Sequence, residues 1–334
     1  MPPSPFDDAA NERLVLDAIA SAERAAPRDD REFVKVLRSA YFAAHQRATG
    51  RLRMAAAAPA AAEPGSPMGP RSFHIYEDPR FVRNARALAQ RTVARVRIIG
   101  GSEVRAGEFD DCVAVGSDAE WGCSGTLIAK NVVVTAGHCA DFATRVFFGT
   151  DVTGQGRVVR VRKKQRHPQY HKGKHNDLMI LVLAEAVESV APRRIAAARL
   201  VTAATDGRVV GFGHTDPAGT FGYGKKRKVD VPVASPSCSG AVDGHDDTVS
   251  YGCDRQLELV AGRALLARDT CSGDSGGPFY VDDGNGRWLL AGATSRATDS
   301  AVNNCGDGGI YARLDKYLKW ITAIPGVTLP RGQA

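Results

Sequence analysis

The sequence lacks long apolar segments. No run of 18 or more apolar residues occurs in its 334 residues, so we predict no transmembrane helix. The first 30 residues, MPPSPFDDAANERLVLDAIASAERAAPRDD, carry acids where a signal peptide needs an apolar core, so we predict no secretory signal there. Hydrophobic residues still make up 43% of the chain, which is enough to form a sizeable core.

Residues 1–97 contain no cysteine, and they hold most of the excess positive charge. They have 16 Lys and Arg against 11 Asp and Glu, whereas the remaining residues have 28 against 26. We interpret this part as a solvated, arginine-rich leader. Aromatic residues are only 7% of the chain and show no spacing that suits base stacking, so no nucleic-acid partner is predicted.

The N-terminal part divides into three segments by composition. Residues 1–50 combine a capping-box spacing with a helical apolar stripe, which predicts a mainly helical segment. Residues 51–70 are rich in Ala, Pro and Gly and predict a linker. Residues 71–97 contain Asp78-Pro79, a typical helix start, and predict a short helical pro-segment.

From Ile98 onward the sequence changes to short β-branched runs separated by turn residues. NVVVTA, RVFFG, LMILVL and WLLAGAT are typical of strands, and Gly, Asp, Asn and Pro lie between such runs. This spacing predicts an all-β sandwich or barrel over residues 98–334, with one helix near Leu314–Ile324.

Three stretches carry side chains suited to acyl transfer. The glycines around Ser275 in CSGDSGGP predict a tight turn with an exposed hydroxyl and nearby backbone N–H groups, which suit a nucleophile and an oxyanion site. His138 in TAGHC follows a strand and is a candidate general base. Asp177 in HNDLMILVL precedes an apolar strand, so we predict a partly buried carboxylate with an imidazole partner. Singly, the His and the Asp have ordinary structural interpretations, but the order His, Asp, Ser recurs in catalytic triads.

Together these motifs resemble the trypsin/chymotrypsin family of serine proteases. The resemblance runs from Ile98 to about Pro325 and includes IIGG, CSGTLI, TAGHC, GFG, CSGDSGGP, GGIY and YLKWI in order. It implies an all-β catalytic domain of two six-stranded antiparallel β-barrels with a C-terminal helix, preceded by the mainly helical extension. It also implies an enzyme without a cofactor that acts on protein or peptide substrates.

The resemblance implies a role for each candidate residue. Ser275 is similar to the family's nucleophile, His138 to the general acid and base, and Asp177 to the carboxylate that orients the imidazole. The backbone N–H groups of Gly273 and Ser275 would form the oxyanion hole.

The residues at the implied primary pocket suggest cleavage after Arg or Lys. Asp269 stands six residues before the nucleophile, where the family has an acid at the base of the pocket, and Gly309 matches a glycine that lines it. Ser295, Arg296 and Ala297 stand in place of the family's Ser-Trp-Gly. Arg296 would favour acidic groups upstream of the cut, and Ala297 would narrow the pocket mouth.

The resemblance also implies a zymogen. Arg97 precedes IIGG, which matches the family's activation site. Cleavage between Arg97 and Ile98 would free an ammonium group on Ile98 that pairs with Asp274 and orders the oxyanion hole and the pocket. The cut could come from an activating protease or from the protein itself.

All seven cysteines follow Ile98. By resemblance, Cys123–Cys139 and Cys271–Cys305 match family disulfides, whereas Cys238–Cys253 is a less secure third pair. Cys112 is left over and is expected to be a buried free thiol. Disulfides favour a secreted or cell-surface protein, while the missing signal favours the cytoplasm.

Two other functions stay open at this point. The N-terminal segment could bind a partner or mask the catalytic domain, with proteolysis secondary, or the chain could be an inactive homologue. His167, His171 and His175 are spaced by four, but Pro168 and Gly173 interrupt any helix, so no metal is predicted.

Overall fold

The computed structural model describes residues 101–171, 175–215, 222–242, 245–262, 269–299, 301 and 305–330, together with Ser21, Arg24 and Ala25. The predicted N-terminal helices, the linker and the Arg97–Ile98 junction lie outside the described residues, so the proposed segment boundaries there stay predictions.

The first barrel contains six antiparallel strands and follows a two-residue strand, β1 (Ser102–Glu103). The six are β2 (Cys112–Gly116), β3 (Cys123–Ala129), β4 (Val132–Thr135), β5 (Arg145–Gly149), β6 (Gly156–Arg166) and β7 (Met179–Leu183). Their order, β2-β3-β4-β7-β6-β5, is closed because β2 pairs with both β3 and β5. A 3-10 helix, Gly137–Asp141, follows β4 directly.

The second barrel follows a short helix, α1 (Ala198–Ala203), and has the same strand number. Its elements in chain order are β8 (Asp206–Gly211), β9 (Arg227–Ser235), β10 (Ala241–Val242), β11 (His245–Asp246), α2 (Asp247–Tyr251), β12 (Glu258–Ala261), β13 (Pro278–Asp282), β14 (Trp288–Ala297) and β15 (Gly309–Arg313). The barrel order is β8-β9-β12-β15-β14-β13, closed by β8, which pairs with β9 and β13. The strands β10 and β11 form a separate hairpin, and β1 pairs with β9.

The chain after β15 is helical, as the sequence predicts. A 3-10 helix, Leu314–Lys316, is followed by α3 (Leu318–Ala323). The predicted architecture of two six-stranded barrels and a C-terminal helix is therefore confirmed. Across the described residues, we find no helix with the length and apolar character needed to cross a bilayer.

Strand β7 shows how the two barrels share their cores. Met179, Leu181 and Leu183 pack inside the first barrel. Ile180 and Val182 point the other way, into a cluster that also contains residues of the second barrel and of α3. Because successive side chains of a strand alternate between its faces, both faces of β7 are buried. This double burial explains why the strand is wholly apolar.

Six cysteines form three disulfides and the seventh is free. The bonds are Cys123–Cys139, Cys238–Cys253 and Cys271–Cys305, so all three expected pairs are present. Cys112 is fully buried in the cluster between the barrels, as expected for the remaining thiol. Burial raises the pKa of this thiol far above its usual range.

Candidate active site

His138 and Asp177 form a hydrogen-bonded pair on the first barrel. His138 lies in the 3-10 helix after β4, and Asp177 comes just before β7 and is only 4% exposed. His138 Nδ1 lies 2.8 Å from Asp177 Oδ2, and the backbone N–H of His138 donates to Asp177 Oδ1 at 2.9 Å. Because a carboxylate can only accept, the imidazole carries a proton on Nδ1, and in the neutral ring Nε2 is the acceptor. A general base needs this tautomer.

Asp177 stays ionised in spite of its burial. Burial alone would raise the pKa of this carboxyl group, but the hydrogen bonds from His138 and from Ser295 outweigh it, so the pKa of Asp177 lies below its usual range. The Ser295 hydroxyl on β14 donates to Asp177 Oδ2 at 2.7 Å. The carboxylate therefore links the two barrels and holds a negative charge beside the imidazole.

Small side chains and cross-links fix the turn that carries His138. A Cβ at Gly137 would lie 3.2 Å from Asp177 Oδ1, a tighter contact than usual, so glycine avoids crowding the His–Asp pair. Thr135 Oγ1 donates to a β3 carbonyl at 2.7 Å, and the disulfide of Cys139 leads to the same strand. The turn is thus attached to β3 on both sides of His138.

The Ser275 peptide is fastened to both barrels. Its carbonyl accepts from the Ser124 N–H of β3 at 2.8 Å, and the next N–H along the chain donates to Thr294 O of β14 at 2.8 Å. The same carbonyl oxygen lies 3.9 Å from Cys139 Sγ, next to His138 in the chain. Among the described residues the Ser275 hydroxyl makes no hydrogen bond. The position of Ser275 near the His138 turn is therefore set by the hydrogen bonds of its backbone. Catalytic hydrogen bonds are often long before substrate binds.

Gly273 and Ser275 supply two backbone donors around the Ser275 hydroxyl. Gly273 has a φ of +99°, and a Cβ at this position would lie 2.8 Å from Gly213 Cα, so the loop requires glycine there. Within the described part of the chain, neither the Gly273 N–H nor the Ser275 N–H donates to a protein acceptor. Unpaired donors beside a nucleophile suit an oxyanion.

The described residues bring one group of potential metal ligands together, at the site itself. Atoms of Cys123, His138 and Cys139 lie within 4.8 Å of one another. Two of these residues share a disulfide and His138 is bonded to Asp177, so this group offers no thiolate. Acid–base chemistry fits these residues better than metal binding.

Comparison with known proteins identifies the family of the chain. A family model described as Trypsin matches residues 98–321. The chain belongs to the trypsin family. It is 30% identical over 235 residues to Serine protease 1 of Homo sapiens, covering 67% of this chain and 88% of that protein. It is 28% identical over 242 residues to Trypsin 5G1 of Aedes aegypti, covering 69% and 86%. It is also 28% identical over 241 residues to Trypsin-like protease of Streptomyces glaucescens, covering 68% and 81%.

A cavity opens beside Ser275, where the trypsin-family resemblance places the primary pocket. Its described lining consists of residues 270–272, Ser275, residues 294–297 and residues 306–308. Ser295, Arg296 and Ala297 of β14 thus lie along it as expected, whereas Asp269 and Gly309 are not among the residues that form this lining.

Asp269 has one carboxylate oxygen engaged and one free. The Tyr311 hydroxyl donates to Oδ1, while Oδ2 is buried and has no hydrogen-bond partner among the described residues. A Cβ at Gly309 or at Gly262 would lie 2.9 Å from Oδ2, so both glycines leave space at this oxygen. Burial, helped by the negative charges of nearby acids, raises the pKa of Asp269 to about 7 although Tyr311 lowers it. A buried, unpaired carboxylate oxygen is a ready partner for a cation.

The charge of Arg296 is not directed toward a substrate, as the sequence suggested, but toward the protein itself. Its guanidinium makes a two-pronged ion pair with Glu258, at 2.7 and 2.8 Å, and also donates to Gly252 O at 2.8 Å. Glu258 is fully buried, and its charge compensates that of Arg296. The expected preference for acidic groups upstream of the cut therefore has no free positive charge to support it.

Asp274 is held by backbone donors next to the nucleophile. Its carboxylate accepts from Gly213 N–H at 2.8 Å and from Cys271 N–H at 2.9 Å. Burial raises the pKa of Asp274 to about 6 against the lowering effect of these two bonds. A Cβ at Gly213 would lie 2.7 Å from the carboxylate, so this position is tightly enclosed. The proposed partner, the amino group of Ile98, lies outside the described residues.

Two further residues, Ser124 and Glu258, support this region and carry no role in the sequence motifs. Ser124 Oγ donates to Gly273 O at 2.9 Å and accepts from Phe212 N–H at 3.1 Å, so it braces the nucleophile loop. Ser124 stands in CSGTLI, one of the matched motifs, and this position was the signal in the sequence that could have pointed to its role. Glu258 begins the otherwise apolar strand ELVA, and a single acid in such a strand indicates a buried partner.

Proposed function

We propose that the protein is a serine endopeptidase that cleaves peptide bonds after Arg or Lys through an acyl-enzyme and is made as a zymogen. The observation that carries the proposal is the His138–Asp177 hydrogen bond, with the Ser275 carbonyl oxygen 3.9 Å from the sulfur of Cys139, the residue after His138. Membership of the trypsin family supports a serine-type peptidase in general.

In the proposed mechanism, Ser275 Oγ attacks the scissile carbonyl carbon while His138 Nε2 takes its proton. Asp177 keeps the ring oriented and stabilises the imidazolium. The N–H groups of Gly273 and Ser275 hold the oxyanion of the tetrahedral intermediate, and removal of one such donor typically lowers kcat about 10²–10³-fold. His138 then protonates the leaving amine, and water attacks the acyl-enzyme by the same steps in reverse.

The proposed specificity rests on Asp269. Its buried Oδ2 has no described partner and would gain one from the guanidinium or ammonium of a substrate side chain. The attraction between opposite charges is strong where water is excluded. Ala297, which lines the cavity, adds a methyl group where the family has glycine. We therefore expect slower cleavage of bulky side chains than a glycine would allow.

The proposed activation step is cleavage between Arg97 and Ile98. The new ammonium group would pair with Asp274, which two backbone N–H groups already orient beside Ser275. Without that ammonium group, an ionised Asp274 would be a buried charge held by backbone hydrogen bonds alone, and that supports a precursor of low activity. The three disulfides support a secreted or cell-surface protein.

The test treats the full chain with immobilised trypsin, removes the beads, and adds a fluorophosphonate probe and a chromogenic peptide ending in Arg. We expect labelling and hydrolysis only after the cut, and loss of both in Ser275→Ala. Ser239→Ala, a serine of the second barrel outside the site, serves as the matched control and should label normally. Labelling that survives in Ser275→Ala would refute the assigned nucleophile.

A further inference from the structure

The catalytic carboxylate is the first member of a chain of polar contacts that runs into the second barrel. Asp177 accepts from Ser295 Oγ at 2.7 Å, and Ser295 Oγ lies 3.3 Å from Arg296 Nη1. Arg296 in turn is paired with Glu258 through both carboxylate oxygens. Glu258 Oε2 also accepts from the Asp254 N–H at 2.7 Å. This series of contacts thus ends at a backbone N–H group, which holds the Glu258 carboxylate in place.

Arg296 is committed to this inward arrangement. Nη1 donates to Glu258 and Ser295, and Nη2 donates to Glu258 and to Gly252 O. The side chain is 17% exposed, and its partner carboxylate is not exposed at all. Burial opposes the charge on Arg296, but Glu258 holds the pKa of the guanidinium above its usual value. The side chain is therefore cationic at neutral pH.

The direction of the Ser295 proton follows from these contacts. A serine hydroxyl has one proton to donate and can accept on its two lone pairs. Arg296 has only protons to offer, so the Ser295 oxygen must act as acceptor toward it. The single hydroxyl proton is then left for Asp177 Oδ2, the same oxygen that accepts from His138 Nδ1.

We propose that Arg296, clamped by Glu258, is a positioning residue that acts through Ser295 to hold Asp177 in its orientation toward His138. Arg296 lines the cavity beside Ser275, but its guanidinium is turned to Glu258, Ser295 and Gly252 O. The inference rests on the proposed function in so far as activity is used to measure it. It assigns a role to Arg296, which stands where the family has an aromatic residue, and to its partner Glu258.

A double-mutant cycle in the full, trypsin-cut chain tests the coupling. We expect Arg296→Met to lower kcat about three- to tenfold, the scale of one hydrogen bond, with KM little changed. In the Ser295→Ala background the same change should have no further effect on kcat, because the hydroxyl through which it acts is gone. Arg296→Lys keeps the charge but cannot reach all three acceptors at once, so it should not restore kcat.

The matched control is Arg313→Met. Arg313 lies on the adjacent strand β15 and is also buried in an ion pair, with Asp315 at 2.8 Å, outside the site. It should lower stability in urea without changing kcat. Equal losses of kcat from Arg296→Met in both Ser295 backgrounds would show a purely structural role and overturn the proposal.

A second readout does not need activity. In the full chain with Ser275→Ala, the His138 Nδ1 proton should give a resonance far downfield in the proton NMR spectrum, since it is shared with a carboxylate. We expect this resonance to move in Arg296→Met and in Ser295→Ala, and to stay in place in Arg313→Met. A resonance unmoved by Arg296→Met would overturn the inference. If the parent protein proves inactive while the resonance moves as expected, the proposed function fails and the positioning role stands.

Discussion

Replacing Asp269 by asparagine should remove most of the affinity for cationic side chains. Asp269 Oδ2 is buried and lacks a described partner, so an incoming guanidinium would complete a buried ion pair. Removing one member of such a pair costs about 3–5 kcal/mol, which corresponds to about a 200- to 5000-fold loss of affinity. Oδ1 is engaged with Tyr311, so the neutral amide can keep that contact and the fold.

The same carboxylate predicts a pH dependence with a definite sign. Burial raises the pKa of Asp269 to about 7, so below that pH the free protein carries a proton there and the cation must displace it. Affinity should therefore fall as the pH drops, by up to about tenfold per unit below the pKa, and level off above it. Asp307 is one of the acids that raise this pKa, so Asp307→Asn should move the midpoint to lower pH.

The assay is the fluorescence of p-aminobenzamidine, a small cation, titrated into trypsin-cut protein with Ser275→Ala between pH 5 and pH 8.5. The parent should bind most tightly at the alkaline end, and Asp269→Asn should bind weakly with a nearly flat profile. Affinity that is independent of pH in the parent, or equal in the two proteins, would contradict the role given to Asp269.

Three further substitutions test other parts of the molecule. Asp177→Asn should lower kcat about 10⁴-fold because the amide favours the wrong imidazole tautomer, and a loss below 100-fold toward an Arg-ending peptide would argue against the triad. Gly273→Ala should lower kcat by about 10²–10³-fold, since its φ of +99° and a 2.8 Å approach to a neighbouring Cα displace an oxyanion donor. Arg193→Met should destabilise the protein by about 3–5 kcal/mol in urea, because it removes the cation paired with buried Asp111 and leaves the Tyr280 hydroxyl, at 2.6 Å, as the remaining side-chain donor among the described residues. Adding Asp111→Asn to it should recover much of that loss, and equal stability of the single and double variants would contradict the ion-pair account.

The proposed triad has a signal in the sequence because its chemistry demands particular residues in particular local settings. Ser275 needs glycines around it, and His138 needs a small neighbour. Both residues therefore lie in short sequence motifs that can be recognised. The barrels were predictable for a related reason, since strands such as β7 reveal their burial by composition.

The fate of Arg296 could not be predicted in the same way. A long, flexible side chain at a cavity edge can face substrate or core, and the choice depends on a partner elsewhere in the chain. That partner is Glu258, on a different strand, with no periodic pattern that joins the two. Likewise, the motif that places Ser295 at the pocket does not predict that its hydroxyl donates to Asp177.

The free thiol of Cys112 provides a way to measure how often the interface between the two barrels opens. Each of the three disulfides joins two points of a single half, so none of them crosses the interface between the barrels. The sulfur has no solvent exposure while the halves remain packed, and its high pKa keeps the unreactive protonated form. The rate at which a small thiol reagent modifies Cys112 therefore measures how often the two halves separate. The same motion would move Ser275 away from His138.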